Sequence, residues 1–396
     1  MIRKIKNLYH LIVAIFANLV FLFPSKKLTV IGVTGTDGKT TTASLIYHIL
    51  RNSGNKTAVV SSLGAQIDNR RYEIGLHVTT PGSFALQKLI RRAVGKKAKY
   101  FVIEVTSHAI DQYRIFGIPF RVAVLTNVTN EHIDYHKTYD NYLRTKAKLL
   151  LKAQTAVVNK DDGSYTFLAD IEKAKSPKTW ITYGLSDGSD INPENFPFKT
   201  KLLGDFNKYN ILAAVAVCKE LGISDKEIRT AIENYIHPIG RADFVYNKDF
   251  TVMIDFAHTP NAFEQILKTV RPLFKGNIIH VFGSASQRDA VKRPMMGEIS
   301  SQYADIMILT AEDPRGEGVE SINKEIESGI KKKKSEIVNI VDRKEAIGAA
   351  IRMASRGDLV LITGKAHEKS INYTGKEEPW DEYQVVEDSL KVIGKN

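Results

Sequence analysis

The chain has 396 residues, 43% of them hydrophobic and 25% charged, which is typical of a globular protein with two or three domains and excludes global disorder. Its single cysteine, Cys218, excludes an intramolecular disulfide framework and a cysteine-based metal site, and its apolar neighbours predict a buried, inert thiol. The net charge is +12, a mild bias that suits anionic ligands or a membrane face. The sequence has no zinc-ligand spacing, RNA-binding aromatic motif or basic helix, so we expect no nucleic-acid partner.

The first predicted element is an apolar helix at residues 8–23. Sixteen helical residues rise about 24 Å, less than the roughly 30 Å of a bilayer core. Residues 1–27 contain five basic residues and no acid, and this composition favours contact with an anionic surface. Three alternatives stay open: a membrane-associated helix, a helix packed on the protein's own surface, and a true bilayer span.

From Leu28 onward, short β-branched runs alternate with amphipathic segments, which predicts βαβ units and parallel sheets. The predicted strands fall into two series, 28–34, 57–62, 100–105, 122–127 and 155–159, and then 251–256, 277–283, 304–310, 336–341 and 358–363. Predicted helices include 40–54, 261–273 and 343–355. Pro238 and Gly240 interrupt the pattern between the two series. We therefore predict an α/β fold with an N-terminal hydrophobic helix at 1–27, a central domain at 28–236 and a Rossmann-like C-terminal domain at 237–396.

A glycine-rich loop with the sequence GVTGTDGKTTT spans residues 32–42, between a predicted strand and a predicted helix. Glycines let several backbone N–H groups face phosphate oxygens, and the helix N-terminus adds a favourable dipole. A lysine and a hydroxyl that follow such a loop can reach the β/γ-phosphates and Mg²⁺. One departure is Val33, where the standard spacing has glycine. The residues expected to contact ATP are Gly35, Thr36, Asp37, Gly38, Lys39, Thr40 and Thr41.

Further motifs follow in a fixed order along the chain. They are EVTSH (104–108), TNVTNEHIDYH (126–136), YLRTK (142–146), GDFNKYN (204–210), GRAD (240–243), DFAHTP (255–260), RDAVKRP (288–294), EDPR (312–315) and GKAHE (364–368). Together with the phosphate loop, this series resembles the Mur ligase family of bacterial cell-wall enzymes over roughly residues 28–390. The resemblance implies a P-loop ATPase domain with a parallel sheet, followed by a smaller α/β domain.

The resemblance also implies roles for individual residues in ATP chemistry. Two Mg²⁺ ions are expected, with Thr40, Glu104, His132 and Lys146 as ligands. Lys146 falls where the family places a carbamylated lysine, so we expect a carbamate there. The remaining expected ATP contacts are Asn207 and Asn210 near adenine, Arg241 at the phosphates, Asp255 on the ribose and His258 near the nucleotide.

A third set of motif residues is expected to bind the two other substrates. Thr79 and Thr80 resemble the element that holds UDP-MurNAc, and Ser107, Gln112 and Arg114 match contacts to the sugar-peptide. Tyr113 replaces a usual glycine beside them. Asp313, Arg315, Gly364 and Glu368 resemble the residues that read the incoming diamino acid, and Lys292 is expected to contact substrate too. An arginine can bind a second carboxylate bidentately, which favours meso-diaminopimelate over L-lysine.

The resemblance implies an ATP-dependent, ADP-forming ligase that adds a diamino acid to a UDP-MurNAc-L-Ala-D-Glu-like acceptor. We expect a cytoplasmic monomer, with peripheral contact through residues 1–27 at the inner face of the plasma membrane. No counterpart of the family's UDP-binding domain is visible before Leu28, so a partner could supply that grip or the acceptor could differ. The alternatives are another ligase of the same superfamily with a non-UDP acceptor, and a non-catalytic, membrane-tethered nucleotide-binding assembly protein.

Overall fold

The computed structural model describes residues 2–129, 131, 133–173, 178–286, 289–331 and 335–395. The chain divides into two compact units. The first comprises Met1–Asn130 and His136–Ile236, and the second comprises Glu131–Tyr135 and His237–Asn396. Both contain a mostly parallel sheet with helices between its strands, so the predicted α/β class is confirmed.

The first unit is organised around a sheet in which eight described strands take the order β4-β3-β2-β5-β1-β6-β7-β8. The strands are β1 Thr29–Thr34, β2 Thr57–Ser61, β3 Gly64–Ile67, β4 Arg70–Tyr72, β5 Tyr100–Glu104, β6 Phe120–Leu125, β7 Ala153–Asn159 and β8 Thr179–Tyr183. All neighbours from β2 to β8 are parallel, and β3 and β4 add an antiparallel edge. The central strands are buried almost throughout, as sheets covered on both faces require.

Helices cover both faces of this sheet. The described helices of this unit are α1 Ile2–Phe21, α2 Lys39–Asn52, α3 Ser83–Gly95, α4 Ser107–Asp111, α6 Tyr139–Leu151, α7 Tyr165–Lys173, α8 Asp205–Glu220 and α9 Asp225–Glu233. The short helix α5 Ile133–His136 falls mostly in the segment assigned to the second unit. Helix α2 ends at Asn52, two residues earlier than predicted, because Gly54 takes a left-handed conformation that terminates the turn. Cys218 is buried in α8, as predicted, and this burial raises the pKa of its thiol.

The N-terminal helix α1 packs on α3 through small residues. Ala14 and Ala17 are buried, and the Asn18 amide donates to Ala14 O and Phe116 O. Its opposite face leaves large apolar side chains exposed. No helix within the described ranges is long and apolar enough to cross a membrane. The helix therefore rests on the protein's own surface and at the same time presents an apolar face outward.

The second unit has its own sheet, with the order β13-β12-β11-β14-β10-β9. Its strands are β9 Asp243–Asn247, β10 Thr251–Asp255, β11 Ile278–Phe282, β12 Ile306–Leu309, β13 Glu336–Asn339, β14 Leu359–Thr363, β15 Ser370–Asn372 and β16 Glu377–Pro379, the last two forming a separate hairpin. Its helices are α10 Pro260–Val270, α11 Lys292–Tyr303, α12 Val319–Glu327, α13 Arg343–Met353 and α14 Glu382–Val392. Only β9 is antiparallel among the strands of the larger sheet. In both units, ligand sites are therefore sought at the carboxyl ends of the parallel strands.

Candidate active site

The phosphate loop follows β1 and leads directly into α2 at Lys39. Gly35 has a φ of 150° and Gly38 a φ of 78°, conformations that side chains rarely adopt. A Cβ at Gly35 would lie 1.8 Å from Thr126 Oγ1, and a Cβ at Gly38 would lie 2.2 Å from Asn210 Oδ1. The loop thus leaves no room for side chains at its glycines, and this is the form that a backbone phosphate cradle requires.

The end of β6 holds this loop in place. The Thr36 amide donates to Asn127 O at 2.9 Å, and the Asp37 amide donates to Asn127 Oδ1 at 2.9 Å. Thr126 Oγ1 donates to Asp37 O at 2.6 Å. Asn127 and Thr126 lie in a motif that the sequence analysis quoted without assigning them a role. Their function in the fold is to fix the curvature of the loop.

A hydroxyl and a carboxylate meet beside the phosphate loop. Thr40 Oγ1 donates to Glu104 Oε2 at 3.0 Å, and Glu104, at the carboxyl end of β5, is 1% exposed. The same carboxylate accepts from the Ser62 backbone amide at 3.0 Å and from its hydroxyl. Oxygen ligands of this kind suit Mg²⁺. Ser62 was missed from the sequence because it belongs to no motif and reaches Glu104 only through the pairing of β2 with β5.

Two lysines contact backbone oxygens of the phosphate loop. Lys39 Nζ donates to Thr36 O at 2.7 Å. Lys146, on α6, is 1% exposed, donates to Gly35 O at 2.5 Å, and lies 4.3 Å from the centroid of the Tyr142 ring. Lys146 is therefore beside the phosphate loop, and its role as a metal ligand stays a prediction. The predicted metal ligand His132 lies outside the described residues.

Two asparagines of α8 were expected to contact adenine, and both are buried. Asn210 Nδ2 donates to Asn207 Oδ1 at 3.2 Å, and Asn207 Nδ2 donates to Leu203 O at 2.7 Å. Asn210 Oδ1 accepts from Thr42 Oγ1 on α2 at 3.2 Å. These side chains connect α8 to the first turn after the phosphate loop, and their contact with adenine stays a prediction. Thr41 is also buried in that first turn.

The threonines expected to hold UDP-MurNAc lie next to the Glu104 carboxylate. Thr79 Oγ1 and Ser62 Oγ are 3.0 Å apart. Thr80 Oγ1 donates to Glu104 O at 2.9 Å and accepts from the Thr106 amide at 3.0 Å. The segment before α3 is thereby joined to the end of β5, so the candidate acceptor residues and the candidate metal ligand share one edge of the sheet.

The residues expected to contact the sugar-peptide are close to these threonines. Arg114 Nη1 donates to Thr80 O at 2.7 Å, and its Nε and Nη2 donate to Gln112 Oε1 at 3.0 and 2.7 Å. Ser107 Oγ lies 3.0 Å from His136 Nε2. The residue between Gln112 and Arg114 is Tyr113, whose φ is 54°. A left-handed backbone at this position explains in physical terms why the family usually has glycine there.

In the second unit, a buried carboxylate organises the turn that carries Arg241. Asp255 Oδ2 accepts from the Ala242 amide and Oδ1 accepts from the Ala257 amide, both at 2.7 Å. Burial is the largest influence on the Asp255 carboxyl and raises its pKa. The Arg241 guanidinium lies 4.6 Å from the centroid of the Phe256 ring. The Asp255 side chain thus serves the fold of this turn, and its contact with a ribose stays a prediction.

His258 and Lys292 are also close to each other. Lys292, at the first residue of α11, donates from Nζ to His258 O at 2.7 Å. His258 Nδ1 lies 2.8 Å from Phe256 O. Lys292 is only 7% exposed, so its ammonium group lies near the carboxyl end of β10 and does not extend into solvent. Arg288, which belongs to the same motif, lies outside the described residues.

A buried lysine connects the two loops expected to read the diamino acid. Lys365 Nζ donates to Asp313 Oδ1 at 2.9 Å and to Glu368 Oε2 at 2.6 Å, and Lys365 is fully buried. Arg315 Nη2 lies 3.3 Å from Asp313 Oδ2, and Gly364 has a φ of 108°. Lys365 was quoted in a motif but not predicted as a site residue. The positive charge of Lys365 explains why the carboxylates of Asp313 and Glu368 can lie close together.

Glu312 begins the EDPR motif and was not predicted as a site residue. It is 7% exposed, and its Oε2 has no hydrogen-bond partner among the residues that the structure describes. Burial, the largest influence, raises the pKa of its carboxyl, and the nearby Lys292 opposes this. A polar atom left in this state at the carboxyl end of β12 is a candidate for substrate contact.

Comparison with known families matches both units. The family described as "Mur ligase middle domain" matches residues 33–218, and the family described as "Mur ligase, glutamate ligase domain" matches residues 240–366. A relative from Clostridium acetobutylicum, named UDP-N-acetylmuramoyl-L-alanyl-D-glutamate--2,6-diaminopimelate ligase 1, is 37% identical over 93% of this chain and 80% of its own length. A ligase of the same name, without the final numeral, from Aquifex aeolicus is 38% identical over 94% of this chain and 80% of its own length.

Solved structures agree with these matches. The structure of a UDP-N-acetylmuramoyl-L-alanyl-D-glutamate--2,6-diaminopimelate ligase superposes with a TM-score of 0.62 at 28% identity, covering 93% of this chain and 79% of that chain. A folylpolyglutamate synthase from Mycobacterium tuberculosis reaches a TM-score of 0.72 at 16% identity, covering 97% and 95%. The second similarity concerns the fold alone.

Proposed function

Because this chain belongs to the Mur ligase family, we propose that it is an ATP-dependent ligase that joins meso-diaminopimelate to a UDP-MurNAc-L-Ala-D-Glu-like acceptor, forming ADP. The observation that carries the proposal is the pair formed by Thr40, in the first turn of α2, and Glu104, at the end of β5, whose oxygens lie 3.0 Å apart beside the glycine cradle. The relatives at 37 and 38% identity are named as ligases of this acceptor and 2,6-diaminopimelate. ATP serves as a substrate, and peptidoglycan precursor synthesis is the process served.

Thr40, Glu104 and Lys146 of the first unit fit a magnesium nucleotide. Thr40 and Glu104 offer oxygen ligands, and His132 and Lys146, the latter as a carbamate, are proposed to complete two Mg²⁺ sites. Such ions, when bound, offset negative charge on the phosphates. The carbamate nitrogen would keep one hydrogen, so the Lys146 contact to Gly35 O remains possible. The loop amides and Lys39 would orient the β/γ-phosphates.

The chemistry needs no side-chain nucleophile. The acceptor carboxylate attacks the γ-phosphorus, which forms an acyl phosphate and releases ADP. The amino group of the diamino acid then attacks the acyl carbon, phosphate leaves, and the amine gives up a proton. Catalysis in this scheme consists of positioning and electrostatic stabilisation. Thr79, Thr80, Ser107, Gln112 and Arg114 would place the acceptor beside the γ-phosphate.

The second unit would supply most of the remaining contacts. Arg241 would reach the phosphates, Asp255 would contact the ribose and His258 would lie near the nucleotide. Asn207 and Asn210, on α8 of the first unit, would lie near adenine. The carboxylates of Asp313 and Glu368 would accept from substrate ammonium groups, and Arg315 would bind the second carboxylate of diaminopimelate. L-lysine lacks that carboxylate, so it would be the weaker substrate.

The decisive experiment measures phosphate release from ATP by the purified chain with UDP-MurNAc-L-Ala-D-Glu and either meso-diaminopimelate or L-lysine. We expect turnover that requires both acceptor and diaminopimelate, with the tripeptide product seen by mass spectrometry. ATP binding without turnover on either amino acid would instead support the non-catalytic alternative. Turnover only with an acceptor that lacks UDP would support the alternative of another ligase of the same superfamily.

The carbamate has a test of its own. Intact-protein mass and ¹³C NMR after incubation with ¹³C-bicarbonate should reveal one labelled lysine, and Lys146→Ala should remove the signal. Lys146→Ala should also lower ligase activity by at least about 100-fold, since the buried anion contributes electrostatically. Full activity of Lys146→Ala would overturn this assignment.

The exposed face of α1 supports peripheral membrane contact on the cytoplasmic side, with anionic lipid as the binding surface. The apolar residues recur at helical spacing and are all more than half exposed, namely Ile5 (62%), Leu8 (58%), Ile12 (58%), Phe16 (59%) and Leu19 (53%). Exposed Lys26 and Lys27 follow, and residues 1–27 contain no acid. An apolar stripe with flanking cations is the composition of an interfacial helix.

Cosedimentation with vesicles tests this contact. The full chain should bind vesicles rich in phosphatidylglycerol and lose most binding in high salt, because part of the attraction is electrostatic. Ile12→Ser/Phe16→Ser should abolish binding without changing the unfolding midpoint, while Val392→Ser, at another exposed apolar side chain, should bind normally. If the double variant sediments with vesicles as much as the unchanged chain does, the apolar face of α1 does not bind lipid. If the only effect of the double variant is to convert a dimer to a monomer, the face binds a second copy of the chain and not lipid.

A further inference from the structure

Two fully buried charges lie outside every motif used so far. Arg343 is the first residue of α13 and Glu382 is the first residue of α14, and both side chains are 0% exposed. Arg343 Nη2 donates to Glu382 Oε1 at 2.6 Å, and Arg343 Nε donates to Oε2 at 2.9 Å. Trp380 Nε1 also donates to Oε2, at 2.9 Å. The pair is therefore bidentate and shielded from water.

The position of Arg343 is unfavourable when helix stability alone is considered. The positive end of a helix dipole repels a guanidinium at its first residue. Removing both ions from water carries a further desolvation cost, and well-packed apolar residues often replace a buried pair without loss of stability. Stability alone therefore does not explain why Arg343 is at this position.

Those contacts go to two backbone oxygens at the carboxyl ends of strands. Arg343 Nη1 donates to Ala311 O at 3.0 Å, and Nη2 donates to Thr363 O at 2.7 Å. Ala311 directly precedes Glu312, and Thr363 directly precedes Gly364. Strands β12 and β14 are not neighbours, because β11 lies between them. One guanidinium thus spans the end of β11 and connects the starts of both loops that carry the proposed amino-acid site.

The distance between these two loops matters for the side chains that they present. The Lys365 bridge to Asp313 joins one loop to the other, whereas its bond to Glu368 stays within one loop. We propose that the Arg343–Glu382 pair is a positioning device that fixes the 312–315 and 364–368 loops relative to each other and so sets the affinity for the diamino acid. This inference rests on the proposed function. Neither residue is assigned contact with substrate.

The experiment separates positioning from stability. In Arg343→Met/Glu382→Leu, apolar residues of similar volume fill the same space and no buried charge is left unpaired, so the unfolding midpoint should fall less than in either single variant. The double variant still lacks both bonds to Ala311 O and Thr363 O. We expect its KM for diaminopimelate to rise about 10- to 100-fold, as the loss of two hydrogen bonds would produce, with KM for ATP and kcat within about threefold.

Arg271 provides a matched control, because it lies at the amino ends of the strands of the same sheet, opposite the carboxyl ends that Arg343 contacts. It donates to Asp305 Oδ2 at 2.7 Å, and to Phe274 O and Gly276 O at 2.5 and 2.7 Å, near the amino ends of β11 and β12. Arg271→Met should lower the unfolding midpoint and leave KM for diaminopimelate unchanged. A folded double variant that keeps the wild-type KM for diaminopimelate would overturn the inference.

Hydrogen exchange gives a readout that does not depend on turnover. The Arg315 amide donates to Asn372 O and the Glu368 amide donates to Lys365 O, and both should exchange faster in the double variant but not in Arg271→Met. If the double variant does not fold, Glu382→Gln, which keeps the side-chain shape, can replace it. This variant should also show faster exchange of both amides and a higher KM for diaminopimelate, with smaller changes in each. Absence of wild-type turnover with diaminopimelate would refute the proposed function, whereas unchanged exchange in both loops would refute the positioning role.

Discussion

A methyl group added at Gly38 tests the phosphate cradle most directly. The residue has a φ of 78°, and left-handed backbone costs a residue with a Cβ about 1–2 kcal/mol. The new Cβ would lie 2.2 Å from Asn210 Oδ1, so the Asn210 side chain must turn away. That movement breaks its hydrogen bond with Thr42, worth about 1 kcal/mol. Gly38→Ala should therefore reduce the free energy of unfolding by about 2–3 kcal/mol.

The assay is urea unfolding followed by circular dichroism, with nucleotide binding measured by calorimetry under folding conditions. Gly95→Ala is the control, because a Cβ there meets nothing within 4 Å and alanine favours the helical end of α3. The steric part can be isolated with Asn210→Ala, which removes the colliding atom. In Gly38→Ala/Asn210→Ala the loss should fall short of the sum of the single losses by about 1 kcal/mol.

The result that refutes this reasoning is specific. If Gly38→Ala unfolds at the same urea concentration as Gly95→Ala, then neither the left-handed backbone nor the Asn210 contact constrains the loop. If the losses in the double variant were instead additive, the cost of the left-handed backbone could still hold, but a collision with Asn210 would be ruled out. In either folded variant, nucleotide affinity should fall at least about tenfold, because the amides after Gly38 no longer face the phosphates together.

Three further outcomes are expected. At Tyr113, whose φ is 54°, replacement by glycine should give a protein about 1 kcal/mol more stable than replacement by alanine, the reverse of the helical order, and equal stability in urea would contradict a left-handed backbone. Glu104→Gln keeps the shape of the group that accepts from Thr40, so the unfolding midpoint should change little while ligase activity falls about 100-fold or more, and activity near wild type would remove Glu104 from the metal site. Burial, the largest cause, lowers the pKa of His280 to about 3 from an ordinary 6.5. Its neutral form therefore contributes stability above pH 6.5 that is lost as the pH falls toward 3. The stability difference between wild type and His280→Gln should shrink by about 2 kcal/mol from pH 7 to pH 5, and a constant difference would refute this burial effect.

The sequence predicted the α/β class and most strand positions because buried parallel strands are short β-branched runs. The predicted end of α2 at Gly54 was two residues too late, because the left-handed glycine follows the last helical turn and is not part of it. Motif residues such as Glu104 and Lys146 could be named from their order along the chain. The roles assigned to them remain predictions.

Contacts that depend on sheet order could not be found from the sequence. Ser62 reaches Glu104 because β2 pairs with β5, and no local pattern indicates that pairing. Arg343 is similar, since a basic residue at the start of an amphipathic helix reads as solvent-exposed. Arg343 can be fully buried only because Glu382, 39 residues later in the chain, packs against it and pairs with its charge. Spacing along the chain thus identifies groups that belong to motifs, and tertiary structure identifies the groups that hold them.

The buried amide of Asn18 has a consequence for the orientation of the molecule. It donates to Phe116 O and accepts from Gln87 Nε2, and a Cβ at Gly117 would lie 2.8 Å from its Oδ1. Helix α1 therefore cannot roll about its long axis without breaking these bonds. Its apolar stripe keeps a constant bearing relative to the first sheet. If α1 rests on a lipid surface, it would therefore be a rigid contact and not a flexible tether. Its fixed orientation would determine which edge of that sheet faces the bilayer.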